Sequence, residues 1–295
     1  MSPPMEGLPL QLMVCVGVHR ITLPSTTATP LTAAVWAVLP ATLLDLQQIP
    51  RNYVRAYATN NIDTAYGNEV SFTAHNCGTS TLTDIDGNTY NTVQIGNQCW
   101  MKENLRTTRY ANGTNITLVS SGNGSSNTIA FRYYPYGTSS NVSTYGYLYN
   151  WGAVKGPFSN NQGVCPNGWH VPSDAEWIQL TDYVSSQSQY VCGGDNTYIA
   201  NALASTTGWN SCSSTCMPGN TPSSNNATGF SALPAGGYNG SYDNIGYAAI
   251  FWSSTENNND YAKYRQINNC LSVVLGDGLN SKPKSNGYSV RCARD

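Results

Sequence analysis

The sequence predicts an α+β domain over residues 77–295, with two short helices, several short strands and long irregular loops. Three observations carry this expectation. The stretch from Ser173 to Val184 reads as a capped amphipathic helix. Alternating apolar and polar segments bounded by turn residues lie on both sides of it. Eight of the nine cysteines fall between Cys77 and Cys292.

The helix start can be read residue by residue. Ser173 and Glu176 form an S-x-x-E capping box, in which each side chain satisfies an orphan amide of the first turn. Pro172 precedes the cap, and Asp174 favours the positive end of the helix dipole. Trp177, Leu180, Tyr183 and Val184 then recur at helical spacing, which predicts an inward-facing stripe. Tyr198–Ala204 reads as a second short helix, ended by Thr206-Thr207-Gly208-Trp209.

Bulk properties narrow the function. At 295 residues the chain can bury a substantial core, and only 10% of it is charged, with a net charge of −2. The 14 basic residues are dispersed, without the basic stripe that phosphate contacts need, so nucleic acid is excluded as a partner. Solubility falls to Asn, Ser, Thr, Gly and Tyr, as on secreted and cell-surface proteins. Eight cysteines in a turn-rich, low-charge domain point to disulfides in an oxidising compartment. Zinc would need closer cysteine pairs or histidines. Here the closest pair is Cys212-x-x-x-Cys216, and the chain has three histidines. No metal or other cofactor is expected.

Residues 1–50 differ in composition from the rest and receive no function; they read as disordered or as an aberrant start. Leu8–Val18 and Leu31–Leu46 are apolar, but neither is an unbroken run of about 20 residues, so no membrane span is expected. A signal peptide would carry positive charge before its apolar run, whereas His19 and Arg20 come after it. Residues 51–75 contain two alternating segments, Tyr53–Asn60 and Ala65–Thr73, around a turn at Asn61–Asp63. The pair resembles the last two strands of a fibronectin-type-III or immunoglobulin-like repeat, a partial β-sandwich.

Within the main domain, Thr81–Ile85 and Thr89–Ile95 flank Asp86-Gly87-Asn88, a strong hairpin signal. The D-x-D-G letters also invite a calcium loop, but the twelfth position, where an EF-hand needs Glu, is Ile95. Gly96-Asn97 makes a second turn, and Ser120–Asn127 is a loop. Tyr145–Val154 is dense in aromatics, and its periodicity separates neither helix from strand. Ile250–Glu256 reads as a core strand with polar ends, and Gly287–Asp295 as an alternating terminal strand.

Five segments in order carry a family resemblance. They are Thr83–Leu105 with its Gln98-Cys99-Trp100-Met101-Lys102-Glu103-Asn104-Leu105 core, Cys165–Ser173, Phe230–Gly236, Phe251–Glu256 and Ser289–Cys292. They resemble the Fibrobacter succinogenes major paralogous domain, over residues 77–295. The resemblance implies a C-type-lectin-like fold in which the N- and C-terminal strands pair. It implies bacterial surface or secreted proteins and no settled activity. It further implies a Cys165–Cys292 disulfide between the helix-entry loop and the terminal strand. Cys77–Cys99 would brace the first hairpin and Cys192–Cys216 the middle insertion, while Cys212 and Cys270 are left open.

No enzyme is expected. The Glu-Pro-Asn, Gln-Pro-Asp and Trp-Asn-Asp motifs of calcium-dependent lectins do not occur, and Cys270 and Cys292 are too far apart for formylglycine-generating chemistry. No G-x-S-x-G elbow or phosphate loop is present. His170 reads as positioning a loop, and Asp174 and Glu176 as capping residues.

The sharpest functional candidate is the stretch 238–286, rich in the residue types of antibody combining loops. Its ligand-binding candidates are Tyr238, Asn239, Tyr242, Asn244, Tyr247, Asn257, Asn258, Asn259, Tyr261, Tyr264, Asn268 and Asn269. The expected function is a secreted or cell-surface recognition and adhesion module for a glycan or protein. Its loops read as a surface diversified by a retroelement that mutates adenines. The alternative is a structural domain of a multidomain surface protein.

Overall fold

The chain divides into two compact units, Met1–Asn76 and Cys77–Asp295. The computed structural model describes residues 13–17, 52–59, 64–72, 76–119, 126–158, 162–276 and 281–294. In the first unit, β1 (Met13–Gly17), β2 (Asn52–Thr59) and β3 (Thr64–Phe72) form an antiparallel sheet in that order. The two alternating segments are β2 and β3; β1 falls within the stretch the sequence left unassigned. The rest of residues 1–50, the turn at 61–63 and the loop at 120–125 lie outside the described residues.

The second unit is a mixed α+β fold. It opens with β4 (Thr81–Thr83), β5 (Thr89–Ile95) and β6 (Gln98–Met101), joined by turns in which Gly87 (φ 82°) and Gly96 (φ 59°) take the left-handed backbone. A small sheet follows: β7 (Thr117–Val119) runs parallel to β8 (Phe131–Tyr133), which pairs antiparallel with β9 (Leu148–Tyr149). Single helical turns, α1 (Val142–Tyr145) and α2 (Trp151–Lys155), flank β9. The aromatic run is therefore split between helix, strand and helix. Asn150 makes the break, accepting the Ala153 amide at 3.1 Å as the α2 cap.

Helix α3 (Asp174–Ser186) starts at the predicted box: Ser173 Oγ accepts the Glu176 amide, and Glu176 Oε2 accepts the Ser173 amide at 2.7 Å. Trp177, Leu180 and Val184 are buried. Tyr183, expected to face inward, is 36% exposed. It lies outside the β5–β6 turn, close enough that a Cβ at Gly96 would meet its ring at 3.0 Å. Helix α4 (Ala200–Leu203) completes four helices among the described residues, not two. The two extra ones are single turns, too short to show a 3.6-residue period.

The largest sheet contains β10 (Ala235–Tyr238), β11 (Tyr242–Ile245), β12 (Ala248–Glu256), β13 (Tyr261–Asn268) and β14 (Lys282–Pro283). Its order is β11-β10-β12-β13-β14, and β10 and β12 run parallel. Gly236 permits the tight β10–β11 approach: at φ 65°, a Cβ there would lie 2.0 Å from the Asp243 carbonyl.

The terminal strand is not the alternating strand expected. Residues 287–293 are all buried, because this segment passes between sheets. The amides of Gly287, Tyr288 and Ser289 donate to the carbonyls of Tyr238, Tyr149 and Ile250. The amides of Met101 and Leu105 donate to the Cys292 and Val290 carbonyls. Only β15 (Ala293–Arg294) is a regular strand, and it pairs with β6.

Within that segment Arg291 is fully buried. Its guanidinium donates to Asn104 Oδ1 (2.7 Å) and to the carbonyls of Met101 (3.0 Å), Phe230 (2.6 Å) and Ser231 (2.7 Å). It also stacks over the Phe230 ring at 4.8 Å. Burial pulls its pKa down to about 9, with Glu103 opposing. The guanidinium lies over Phe230 and Phe251, which pack with Trp100 and Trp177, ring centroids 4.7–5.9 Å apart.

Four disulfides staple the unit: Cys77–Cys99, Cys165–Cys292, Cys192–Cys216 and Cys212–Cys270. The last joins the two cysteines the sequence left open.

Two outcomes test this account by urea unfolding. Arg291→Met should lose roughly 3–5 kcal/mol, because three buried acceptors and one partly buried one lose their donor. An unchanged midpoint would show the guanidinium to be dispensable. Replacing Cys165 and Cys292 by Ala removes a cross-link spanning 127 residues. The chain-entropy model sets that loss at about 5 kcal/mol before any strain. A loss below about 1 kcal/mol would place the constraint elsewhere.

Candidate functional site

The sheet order decides how the candidates are grouped. Because β10 and β12 are parallel, their following turns, residues 239–241 and 257–260, lie at one end of the sheet. The segments after β11 and β13, which hold Tyr247 and Asn269, lie at the opposite end. The twelve candidates therefore do not form one surface.

At the first end, Asn257, Asn258, Asn259 and Tyr261 are exposed, and so is Asn239. The 257–261 turn is braced from below. Asn258 Oδ1 accepts the amides of Asp260 and Tyr261, both at 2.9 Å, and Asn257 Nδ2 donates to Ser281 Oγ at 3.3 Å. Lys284 is 4% exposed. Its ammonium donates to the Asn259 carbonyl at 2.9 Å, pairs with Glu256 and sits 4.6 Å from the Trp151 ring. Asn127 Nδ2 donates to Asp260 at 2.9 Å, which brings the loop of Ile129 alongside. Tyr261 and Ile129 are 42% and 59% exposed.

At the other end, Asn244 and Tyr247 are exposed and Asn268 is half-buried, its Oδ1 accepting from Gln266 at 2.7 Å. This end is held by Cys212–Cys270 and by the Asn269 amide donating to the Tyr247 carbonyl. Tyr242 is half-buried against Tyr238.

Three candidates point inward. Tyr238 stacks on Tyr133 with centroids 4.3 Å apart, and Tyr264 packs into the main core with Lys282 over its ring at 5.2 Å. Asn269 is buried and donates to the Asn210 carbonyl at 3.4 Å. Composition marked them as surface residues; strand alternation puts Tyr238 and Tyr264 on the covered face.

The acidic residues of the first hairpin and of the α3 start are committed to structure. Asp84 accepts the amides of Asp86 and Asn88, the Asn88 side chain and the Tyr90 hydroxyl, at 2.6–2.9 Å. Asp86 accepts from Thr107, Thr108 and Arg109. Its partial burial works to raise its pKa. The Thr108 amide, Arg109 and the two threonine hydroxyls outweigh that and hold it at about 2. Glu176 adds a contact with His170 Nε2 to its capping bonds, and Asp174 pairs with Arg265 at 2.5 Å. No group of three or more His, Cys, Asp or Glu suited to a metal occurs among the described residues. No helix among them is long and apolar enough to cross a membrane.

Sequence reasoning missed one cluster. Arg132 lies 4.8 Å over the Tyr147 ring, and Tyr134 lies 5.9 Å beyond Tyr147. The dense aromatics of 145–154 were its only trace.

The second unit is thus a disulfide-braced α+β domain with two loop-bearing sheet ends. A family model described as the Fibrobacter succinogenes major domain matches residues 93–294, and the chain belongs to that family. No curated protein and no solved structure matches it.

The Asp86 clamp predicts an acid response. A carboxylate whose folded pKa is depressed stabilises the fold above its unfolded pKa and loses that contribution as pH falls through the folded value. The window here runs from about 4 down to about 2. Asp86→Asn should flatten the stability–pH slope in that window, as read by thermal melts; an unchanged slope would assign acid sensitivity to other groups.

Proposed function

We propose that the chain is a secreted or cell-surface recognition module with a C-type-lectin-like fold, which binds a glycan or protein ligand. The contact surface is the 257–261 turn with Asn239 at the same sheet end. One observation carries the reading: four consecutive polar residues and Tyr261 are exposed on a turn whose base is fixed by Lys284, Glu256 and Trp151. Exposed amides and a tyrosine ring on a rigid base give contact area at low entropic cost. The four disulfides are consistent with an oxidising, extracellular setting.

The same surface fits retroelement diversification. The asparagine-rich turn is flanked by the Phe251–Glu256 and Ser289–Cys292 anchors, which the core holds fixed. A neighbouring DNA repeat differing only at adenines is the expected finding, and its absence removes this part of the reading. The alternative, a structural domain of a surface polymer, draws on the inward use of Tyr238, Tyr264 and Asn269.

Glycan and protein arrays probed with the full 295-residue chain separate the two. Recognition predicts a hit that weakens about tenfold or more when Asn258, Asn259 and Tyr261 are changed to Ala, the scale of losing one hot-spot contact. Changing Tyr247 to Ala, at the other sheet end, should leave it intact. Clean arrays, or hits blind to the turn, favour the structural domain.

A further inference from the structure

The cluster on β8 and β9 carries chemistry that the sheet-end turns do not. Arg106, Arg109, Arg265 and Arg291 each donate to side-chain or carbonyl oxygens within the protein. Arg132 differs: its Nε and Nη1 are shielded from solvent and have no hydrogen-bond acceptor. Its strand neighbours are Leu118 and Tyr149, and its guanidinium lies on the Tyr147 ring. The two carboxylates of the first hairpin are occupied by other groups. Asp84 is filled by Tyr90, Asn88 and two amides, and Asp86 holds Arg109 and two threonines. Arg132 therefore has an aromatic partner but no acceptor for Nε and Nη1. Leaving such donors unmade is costly, and a carboxylate is the acceptor that the guanidinium geometry suits best.

The surroundings narrow the class of carboxylate. Tyr147 and Tyr134 are both half-buried and tilted to each other, with centroids 5.9 Å apart and planes at 30°. The Tyr134 ring can receive the apolar C–H face of a pyranose beside the charge. We infer that Arg132 and Tyr134, with Tyr147 as the ring that covers the guanidinium, form a binding site for a sugar acid, with the carboxylate of a hexuronate on the guanidinium and its ring on Tyr134. Because Nε and Nη1 are shielded beneath the Tyr147 ring, carboxylate binding displaces that ring from the guanidinium, which leaves Tyr134 as the platform for the sugar. The site is separate from the 257–261 turn and stands whether or not that turn binds anything.

Calorimetric titration of the full chain with sodium galacturonate, galactose and sodium acetate tests this, alongside the tyrosine ring signals in NMR. Galacturonate should bind and shift the Tyr147 resonances, with galactose and acetate each about tenfold weaker or more, the scale of one charge-assisted hydrogen bond. Arg132→Gln should abolish binding, while Asn258→Ala with Tyr261→Ala should leave it unchanged. Should Arg132→Gln not fold, Tyr134→Ala should weaken galacturonate and leave acetate alone. Three results would overturn the inference. The first is no galacturonate response in folded protein. The second is acetate binding as tightly as galacturonate, which reduces the site to one for any small anion. The third is binding indifferent to Arg132 and Tyr134.

Discussion

The buried guanidinium of Arg291 is the interaction on which the second unit depends. A cation with no exposed surface and no carboxylate in contact persists only if neutral dipoles surround it. Here they come from three places: Met101 at the end of β6 with Asn104 just beyond it, Phe230 and Ser231 before β10, and the aromatic faces of Phe230 and Phe251. Ser231 accepts this role at a positive φ of 58°, a conformation unfavourable for serine. Asn226 holds it there, donating to its hydroxyl at 2.6 Å and accepting its amide at 2.7 Å. One charge thus fixes the relative positions of the first hairpin, the loop entering the large sheet and the terminal segment.

The neighbouring Cys292 extends the constraint to the α3 entry loop through Cys165. That loop also bonds directly to the terminal segment, since His170 and Ala293 exchange both amide–carbonyl hydrogen bonds. The carboxylates at the helix start are tied inward in the same way: Glu176 to His170, and Asp174 to Arg265 on β13. With the helix, the terminal segment and the sheet locked at the centre, both sheet ends are relieved of holding the fold. Each then has a brace of its own, Lys284 under one turn and Cys212–Cys270 under the other.

Local signals were legible in the sequence. The capping box, the Asp-Gly hairpin and the Ile250–Glu256 core strand rest on contacts within a few residues, and each forms at the place read. Readings that needed the third dimension failed. Tyr183 sits one residue before Val184 and about 100° round the helix, so the stripe included it although it covers a turn from outside. The terminal segment reads as alternating, yet it is enclosed by three sheets and nothing in its own pattern records that. The tyrosine and asparagine content of 238–286 could not tell Tyr261, at the start of β13, from Tyr264, three residues on and buried. Arg132 was invisible for a different reason: its significance lies in acceptors it does not have, and only the folded surroundings of β8 and β9 decide that.

The same arrangement explains why composition alone misplaces a surface in this chain. Neutral polar residues and tyrosines build the interior as well as the outside: Tyr90, Tyr133 and Tyr149 are fully buried, and Asn104 and Asn150 serve as internal junctions. Burial raises the pKa of these tyrosines, so they remain neutral donors at any physiological pH. A core built on hydroxyl and amide hydrogen bonds carries little charge, and the few charges it encloses each need a defined partner. Arg291, Lys284 and Arg265 have theirs. Arg132 departs from this rule: it has the Tyr147 ring, but its shielded Nε and Nη1 have no acceptor.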